Sequence, residues 1–250
     1  MIHRQFIVDV KLKREAVSSF DAYPFSLPAV RTLDILPLHP SVTFFVGENG
    51  TGKSTLLEAI AVACGFNAEG GSKNFGFSTH PSHSDLHQYL RISRGVLKPR
   101  TGWFLRAESF YNVASEMDRR DEGGSYDPPI RTYYGGISLH QQSHGESFMA
   151  LLTHRFSASG LYLLDEPEAA LSPNRQLAAL ARIHELVKGG AQFIIATHSP
   201  ILMSYPRAQI LSFSGNGIVP VEYIETEHFR TTRDFLHNHV RTLRKLMGEG

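Results

Sequence analysis

The sequence has 250 residues, of which 42% are hydrophobic, and its formal net charge at pH 7 is +1. This length supplies enough apolar surface for one large folded unit, and the near-zero charge gives no overall attraction to nucleic acid or to an anionic membrane. The single cysteine, Cys64, excludes an internal disulfide framework and fits a reducing compartment.

Apolar runs in the chain are all shorter than the roughly 18 residues that a membrane-spanning helix needs. The first five residues also lack the apolar core of a signal peptide. We therefore expect a cytoplasmic protein without direct membrane insertion, formed by a single domain over residues 1–250.

The first part of the chain predicts short strands. Residues Phe6 to Lys13 alternate apolar and charged side chains, as a half-buried strand does. A second β-rich stretch, from Phe25 to Leu38, contains prolines that confine its strands to short or edge positions. Together they predict an antiparallel sheet. The nearby aromatic residues Tyr23 and Phe25 would either stack on a purine or pack in the core.

A glycine-rich loop follows an apolar strand at 42–46 and precedes a predicted helix at 54–63. Its sequence fits the G-x-x-x-x-G-K-[ST] phosphate-binding loop, in the strand–loop–helix context that this motif requires. The backbone N–H groups and the positive end of the helix dipole form a cradle for polyphosphate. In such a loop, Lys53 reaches the β- and γ-phosphates and Ser54 ligates Mg²⁺. The residues expected to bind nucleotide here are Gly47, Glu48, Asn49, Gly50, Thr51, Gly52, Lys53, Ser54 and Thr55.

The middle of the chain carries weaker patterns. From Asn67 to Arg100 the sequence has no clear periodicity, and we interpret this stretch as a solvated loop. A strand is predicted from Gly102 to Glu108, followed by a charged loop from Met117 to Gly124. Residues 66–145 are expected to form a small lobe. One set of side chains has the types that bind zinc, but it is too incomplete to predict a metal site: His80, His83, Asp85 and His87.

A buried strand at 161–166 ends in two carboxylates, Asp165 and Glu166. Adjacent like charges at the end of a sheet cost stability unless a cation is bound. We therefore expect Asp165 to hold Mg²⁺ and Glu166 to polarise an attacking water as a general base.

The next elements predict a parallel sheet. Ser172 and Pro173 begin a helix that ends at Gly189, and a strand from Phe193 to Thr197 leads to His198. The apolar stripe of the helix is expected to consist of Leu177, Leu180, Ile183 and Val187. Strand–helix–strand order gives a right-handed crossover, and nucleotides bind at the carboxyl ends of such strands. The phosphate loop, the carboxylate pair and His198 should therefore meet at one rim.

The last part of the chain predicts a hairpin and a helix. Residues 208–213 and 218–223 form the two arms of the hairpin. The helix from Thr231 to Met247 mixes apolar and basic residues, which we interpret as a solvated face and not as a nucleic-acid stripe.

These motifs resemble those of the ABC-type ATPase superfamily over nearly the whole chain. Residues 47–54 match its Walker A motif, 161–166 its Walker B motif, 196–199 its switch-histidine loop and 142–147 its signature. The sequences of these motifs most resemble those of small stand-alone bacterial ATPases of the AAA type, whose head is similar to that of SMC and RecF proteins. The resemblance implies an α/β P-loop NTPase fold with a mainly parallel RecA-like sheet flanked by helices. It also implies an N-terminal antiparallel β-subdomain and a small helical lobe.

The resemblance implies ATP and Mg²⁺ as ligands and hydrolysis of ATP to ADP and phosphate. It assigns catalytic roles to Lys53, Glu166 and His198. It also implies a homodimer in which the signature of one subunit faces the γ-phosphate bound to the other. The implied signature contacts are Ser143, Gly145 and Glu146, and the implied metal ligands are Ser54, Asp165 and Glu108, which falls at the position of the family's Q-loop glutamine. Two departures stand out, since His144 replaces a signature glycine and Glu146 the usual glutamine.

Several kinds of ATPase share these motifs. The 88 residues from 55 to 142 are too few for long coiled-coil arms, which disfavours a DNA-bridging machine of the SMC type. The sequence leaves two alternatives: the ATP-binding subunit of an ABC transporter, and a nucleotide-gated dimerisation switch with negligible turnover. Glu166 favours hydrolysis, because a pure switch needs no general base. The sequence does not identify the protein partner. Nucleic acid is a possible partner that no sequence feature supports.

Overall fold

The computed structural model describes residues 5–72, 84–106 and 143–248. The strands of these ranges are β1 (Ile7–Leu12), β2 (Ile35–Pro37), β3 (Val42–Gly47), β4 (Leu90–Arg94), β5 (Thr101–Arg106), β6 (Gly160–Asp165), β7 (Gln192–Ala196), β8 (Gln209–Ser214) and β9 (Gly217–Pro220). The α-helices are α1 (Pro28–Arg31), α2 (Lys53–Ala63), α3 (His144–His154), α4 (Pro173–Lys188) and α5 (Glu227–Leu246).

The larger sheet has the strand order β5-β6-β7-β3-β8-β9. Its first five strands pair in parallel, and β9 returns antiparallel to β8 as a hairpin. Strand β7 lies between β6 and β3, with Ala196 opposite both Asp165 and Phe45. The carboxyl ends of the three strands therefore meet at one edge. This arrangement confirms the mainly parallel P-loop fold class.

The smaller sheet is antiparallel, with the order β2-β1-β4. It confirms the predicted antiparallel β-subdomain, but two details of the prediction are wrong. Residues Pro28–Arg31 form a short helix inside the stretch expected to be β-rich. Proline fits the first turn of a helix, where its missing N–H has no intrahelical partner to lose. Strand β4 lies within the stretch predicted to be a loop. Its five residues contain no apolar run and only Leu90 of them is buried, which conceals the strand in the sequence.

The large sheet is covered on both faces by apolar clusters. On β3, Phe44 belongs to the cluster under α3 and α4, while its neighbour Phe45 faces the cluster under α2 and the smaller sheet. On β6, Tyr162 belongs to the first of these clusters and Leu163 to the second. Burial on both faces explains why these strands read as continuous apolar runs.

Gln192 joins the two sheets. It is the first residue of β7 and is 0% exposed. Its Oε1 accepts hydrogen bonds from the backbone N–H groups of Phe6 and Ile7, both at 2.9 Å. Its Nε2 donates to the carbonyl oxygens of Ile7 at 2.9 Å and His39 at 3.0 Å. One buried amide thus uses all its hydrogen-bonding capacity to hold the N-terminal sheet against the large one.

Two helices depart in detail from expectation. In α4, Ile183 is buried as predicted, but Leu177 is 56% exposed, so its place in the apolar stripe is wrong. Helix α5 begins four residues before the predicted start, bends at Asn238 and buries none of its side chains. In the described ranges, no helix combines the length and apolar character needed to cross a membrane.

Several predictions lie outside the described residues. They concern Glu108, His80, His83, the charged loop from Met117 to Gly124 and most of the small helical lobe.

Candidate functional site

The loop between β3 and α2 has a backbone that only glycine fits well. Gly47 has φ +137°, and a Cβ atom there would overlap the carbonyl oxygen of Phe213. Gly52, which caps α2, has φ +98°. Both angles lie in the region that side chains disfavour, so the glycine spacing of the motif has a structural cause.

Lys53 is held over this loop. Its side chain is 4% exposed, and its Nζ donates to the carbonyl oxygens of Gly47 and Glu48, both at 2.8 Å. Burial lowers the pKa of Lys53, while the carboxylates of Glu166 and Asp165 act in the opposite direction. The ammonium group is therefore fixed inside the loop and close to both acidic residues.

Ser54 and Asp165 form the pair of groups suited to Mg²⁺. The Ser54 hydroxyl donates to Asp165 Oδ1 at 2.9 Å, across 111 positions of sequence. Both are hard oxygen donors, and Mg²⁺ sites typically use one or two protein oxygens together with phosphate and water. The described ranges contain no group of three His, Cys, Asp or Glu side chains able to hold a metal. The donor set thus fits a cation completed by a phosphate ligand.

Glu166 follows β6 with an unusual backbone conformation. Its φ is +51°, in the left-handed region, and its N–H donates to the carbonyl oxygen of Ala196 at 2.9 Å. Such strain in a residue other than glycine persists where the surrounding structure imposes it, often at functional sites. The turn places the Glu166 side chain beside Lys53 in a pocket of about 180 Å³.

His198 lies next to Glu166, with 3.6 Å between His198 Nε2 and Glu166 Oε1. Its backbone N–H donates to Glu168 Oε1. Burial lowers the pKa of His198, and the positive charge of Lys53 lowers it further. Burial also raises the pKa of Glu168. Sequence reasoning missed Glu168, although its position as the second carboxylate after β6 was an available signal.

His228 is a second residue that sequence reasoning missed. Its Nε2 lies 3.0 Å from His198 Nδ1, and its position in the first turn of α5 carries no recognisable motif. Both imidazoles line a cleft of about 640 Å³ together with Glu48, Asn49 and Glu166. Because Glu166 also lines the Lys53 pocket, the cleft adjoins the phosphate loop.

Of the two aromatic candidates, only Tyr23 lies beside the phosphate loop. The residue is 64% exposed, its hydroxyl is 3.5 Å from Thr55 Oγ1, and it lines the pocket of Lys53 and Glu166. Phe25 instead packs edge-on against Tyr89, with ring centroids 4.8 Å apart.

The signature residues lie at the start of α3. Ser143 caps the helix and forms a capping box with Glu146, and Arg175 of α4 donates to Ser143 Oγ at 3.2 Å and to Glu146 Oε1 at 3.1 Å. The Ser143 hydrogen bonds lower the pKa of Glu146, and Arg175 adds to this. A Cβ atom at Gly145 would overlap the Arg175 side chain. Between the residues that the structure describes, no side-chain hydrogen bond joins this segment to the phosphate loop.

Two family models match the chain. One, described as "AAA domain", matches residues 17–138, and the other, described as "AAA domain, putative AbiEii toxin, Type IV TA system", matches residues 108–204. No curated protein matches the sequence.

Among solved structures, the chain is similar to a "putative metal-chelate type ABC transporter" in an inward-facing conformation. The TM-score is 0.50 at 16% identity, over 91% of this chain and 88% of that one. It is also similar to the SMC head domain from Thermotoga maritima, with a TM-score of 0.44 at 18% identity, over 87% of this chain and 100% of that one. At such identities the likeness concerns the fold alone.

Proposed function

We propose that this chain, which matches AAA-domain family models over residues 17–138 and 108–204 and has an ABC-like fold, hydrolyses ATP to ADP and phosphate. The observation that carries the proposal is the meeting of four groups at one sheet edge. They are the Lys53 ammonium, the Ser54–Asp165 pair, the Glu166 carboxylate and the His198 imidazole. If the lysine had only a structural role and the carboxylates only ended a strand, these four groups would not need to lie together.

Each group has a role that its geometry supports. Lys53 and the loop N–H groups bind the β- and γ-phosphates and stabilise charge in the transition state. Ser54 and Asp165 hold Mg²⁺, which when bound neutralises phosphate charge. Glu166 orients the attacking water and accepts its proton, and His198 contacts the γ-phosphate. Glu108 remains a proposed contributor to the metal site.

We further propose that ATP is held between two copies of this chain, with the signature of each facing the phosphate of the other. Ser143 and Glu146 are exposed and, among the described residues, make no side-chain hydrogen bond to the phosphate loop, which supports this arrangement. The Ser143 hydroxyl and the Glu146 carboxylate are engaged with each other and with Arg175, so the contacts that we assign to phosphate are the N–H groups of the first turn of α3. The dimer couples turnover to a protein partner of unknown identity.

Replacing Glu166 by glutamine is expected to trap an ATP-bound dimer. The amide keeps the shape of the side chain but cannot accept the proton of water, so ATP persists and holds two subunits together. Gel filtration with light scattering, with ATP and Mg²⁺, should give twice the monomer mass, while ATP turnover falls by about 10²-fold or more. The exposed Glu15→Gln variant is the control and should behave as wild type. A Glu166→Gln protein that stays monomeric under these conditions contradicts the sandwich.

Replacing Tyr23 by alanine is expected to weaken ATP binding by about 10-fold, since stacking of a base on an aromatic ring contributes roughly 1–3 kcal/mol. Calorimetric titration in the Glu166→Gln background measures the effect. Tyr23→Phe keeps the ring and should bind ATP as the parent does. Binding of inorganic triphosphate, which has no base, should not change in either variant; a matching loss for triphosphate would assign Tyr23 to another role.

The likeness to a transporter structure keeps a second candidate, the ATP-binding subunit of an ABC transporter. The replacements at His144 and Glu146 weigh against it. A permease gene adjacent to this one would favour the transporter. Turnover by the isolated protein would favour a stand-alone ATPase and would exclude the switch with negligible turnover.

A further inference from the structure

Helix α5 brings a second histidine to the site. His228 Nε2 lies 3.0 Å from His198 Nδ1, and the two rings meet edge to face with centroids 5.1 Å apart. The contact joins two elements 30 residues apart in sequence. It therefore depends on where the first turn of α5 is held.

The first turn of α5 is anchored on both sides of His228. Thr226, 3% exposed, caps the helix by accepting a hydrogen bond from the Phe229 N–H at 3.3 Å. The Tyr223 hydroxyl donates to the carbonyl oxygen of Pro200 at 2.9 Å, which ties this segment to the chain two residues after His198. The Tyr223 and Phe229 rings pack with centroids 4.7 Å apart. The histidine pair is thus held by fixed backbone on either side.

The surroundings of the other ring nitrogen of His198, Nε2, decide which histidine donates the hydrogen bond between His198 and His228. Within the described part of the chain, Nε2 is buried without a hydrogen-bond partner and lies 3.6 Å from Glu166 Oε1. A lone pair on Nε2 would face the carboxylate unfavourably, whereas an N–H would face it favourably. Burial lowers the pKa of both imidazoles, which favours the neutral pair. Neutral His198 with its proton on Nε2 must accept at Nδ1, and the donor there is His228 Nε2–H.

We propose that His228 is a positioning residue, which fixes the tautomer and ring orientation of His198 so that its Nε2–H faces Glu166 and the phosphate loop. For histidines that ligate metals, loss of the partner at the other ring nitrogen typically costs about 10- to 100-fold in affinity or activity, and we expect an effect of this order at His198. The proposal rests on the proposed ATPase function for its effect on turnover. Its structural part, the tautomer of His198, can be measured without nucleotide.

The test compares His228→Leu with His228→Gln. Leucine fills similar space without a donor, whereas the Gln side-chain amide reaches the same position and donates to His198 Nδ1. His237→Leu, an exposed position on the same helix, is the matched control. Long-range ¹H–¹⁵N histidine spectra, with His198 assigned from a His198→Gln spectrum, report which ring nitrogen carries the proton.

We expect His198 to carry its proton on Nε2 in the wild type, His228→Gln and His237→Leu, and to lose this preference in His228→Leu. The turnover number for ATP should fall about 10-fold or more in His228→Leu, with KM for ATP changed less than about 3-fold, and return to near wild type in His228→Gln. An unchanged His198 tautomer in His228→Leu, or a proton on Nδ1 in the wild type, overturns the proposal. If the wild type shows no ATP turnover, the proposed function fails, and the spectra alone still decide the role of His228.

Discussion

Alanine at position 53 is expected to reduce ATP turnover by at least about 10²-fold, the usual effect of removing one group that stabilises transition-state charge. Lys53 is held inside the phosphate loop, where its Nζ donates to two loop carbonyl oxygens. Its loss removes the charge that binds the terminal phosphates, so the affinity for ATP should fall as well. Turnover is measured by phosphate release and affinity by calorimetric titration.

The control for this variant is Lys188→Ala, which removes an exposed lysine at the end of α4. It should leave turnover and ATP affinity unchanged. Thermal unfolding without nucleotide should show that Lys53→Ala still folds, since a buried charge is lost and not an apolar contact. Turnover at the wild-type rate in a folded Lys53→Ala protein would contradict the assignment of residues 47–54 as the phosphate-binding loop.

Gln192→Leu is expected to lower the free energy of unfolding by about 3 kcal/mol or more, since each buried backbone group left without its partner costs roughly 1–3 kcal/mol. The change removes hydrogen bonds from two N–H groups and two carbonyl oxygens of the N-terminal sheet and its connection. In a protein of this size, the melting temperature should fall by about 6–12 °C. Urea unfolding followed by circular dichroism measures the effect.

Gln88→Leu is the matched control, because Gln88 is exposed and, in the part of the chain that the structure describes, its amide reaches only Asp85. A surface change of this kind should alter stability by less than about 0.5 kcal/mol. If Gln192→Leu is as stable as the control, the buried amide does not hold the two sheets together.

The parallel strands and their motifs were predictable from the sequence to within one or two residues. Strands β3, β6 and β7 are buried on both faces, so each reads as an unbroken apolar run that ends at a polar motif. The glycines of the phosphate loop, and Gly190 with φ +85° just after the Gly189 cap of α4, mark element ends through their local backbone requirements.

Predictions failed where the pattern was weak. Edge strand β4 buries one residue of five, and α1 interrupts a stretch whose composition predicts strands. Leu177 fits a helical period but faces solvent, since the position of a helix on its sheet is set by neighbouring elements. Helix α5 begins where Thr226 caps it, ahead of the apolar pattern used to predict it.

By itself, the sequence determined that this protein has a phosphate loop, a strand-end carboxylate pair and a histidine at the end of the next strand, because each depends on residues adjacent in the chain. Only the tertiary structure decided that Ser54 contacts Asp165, that Gln192 joins the sheets and that His228 contacts His198. These contacts span 30 to 186 positions, and they form only when strand order and helix packing bring distant segments together.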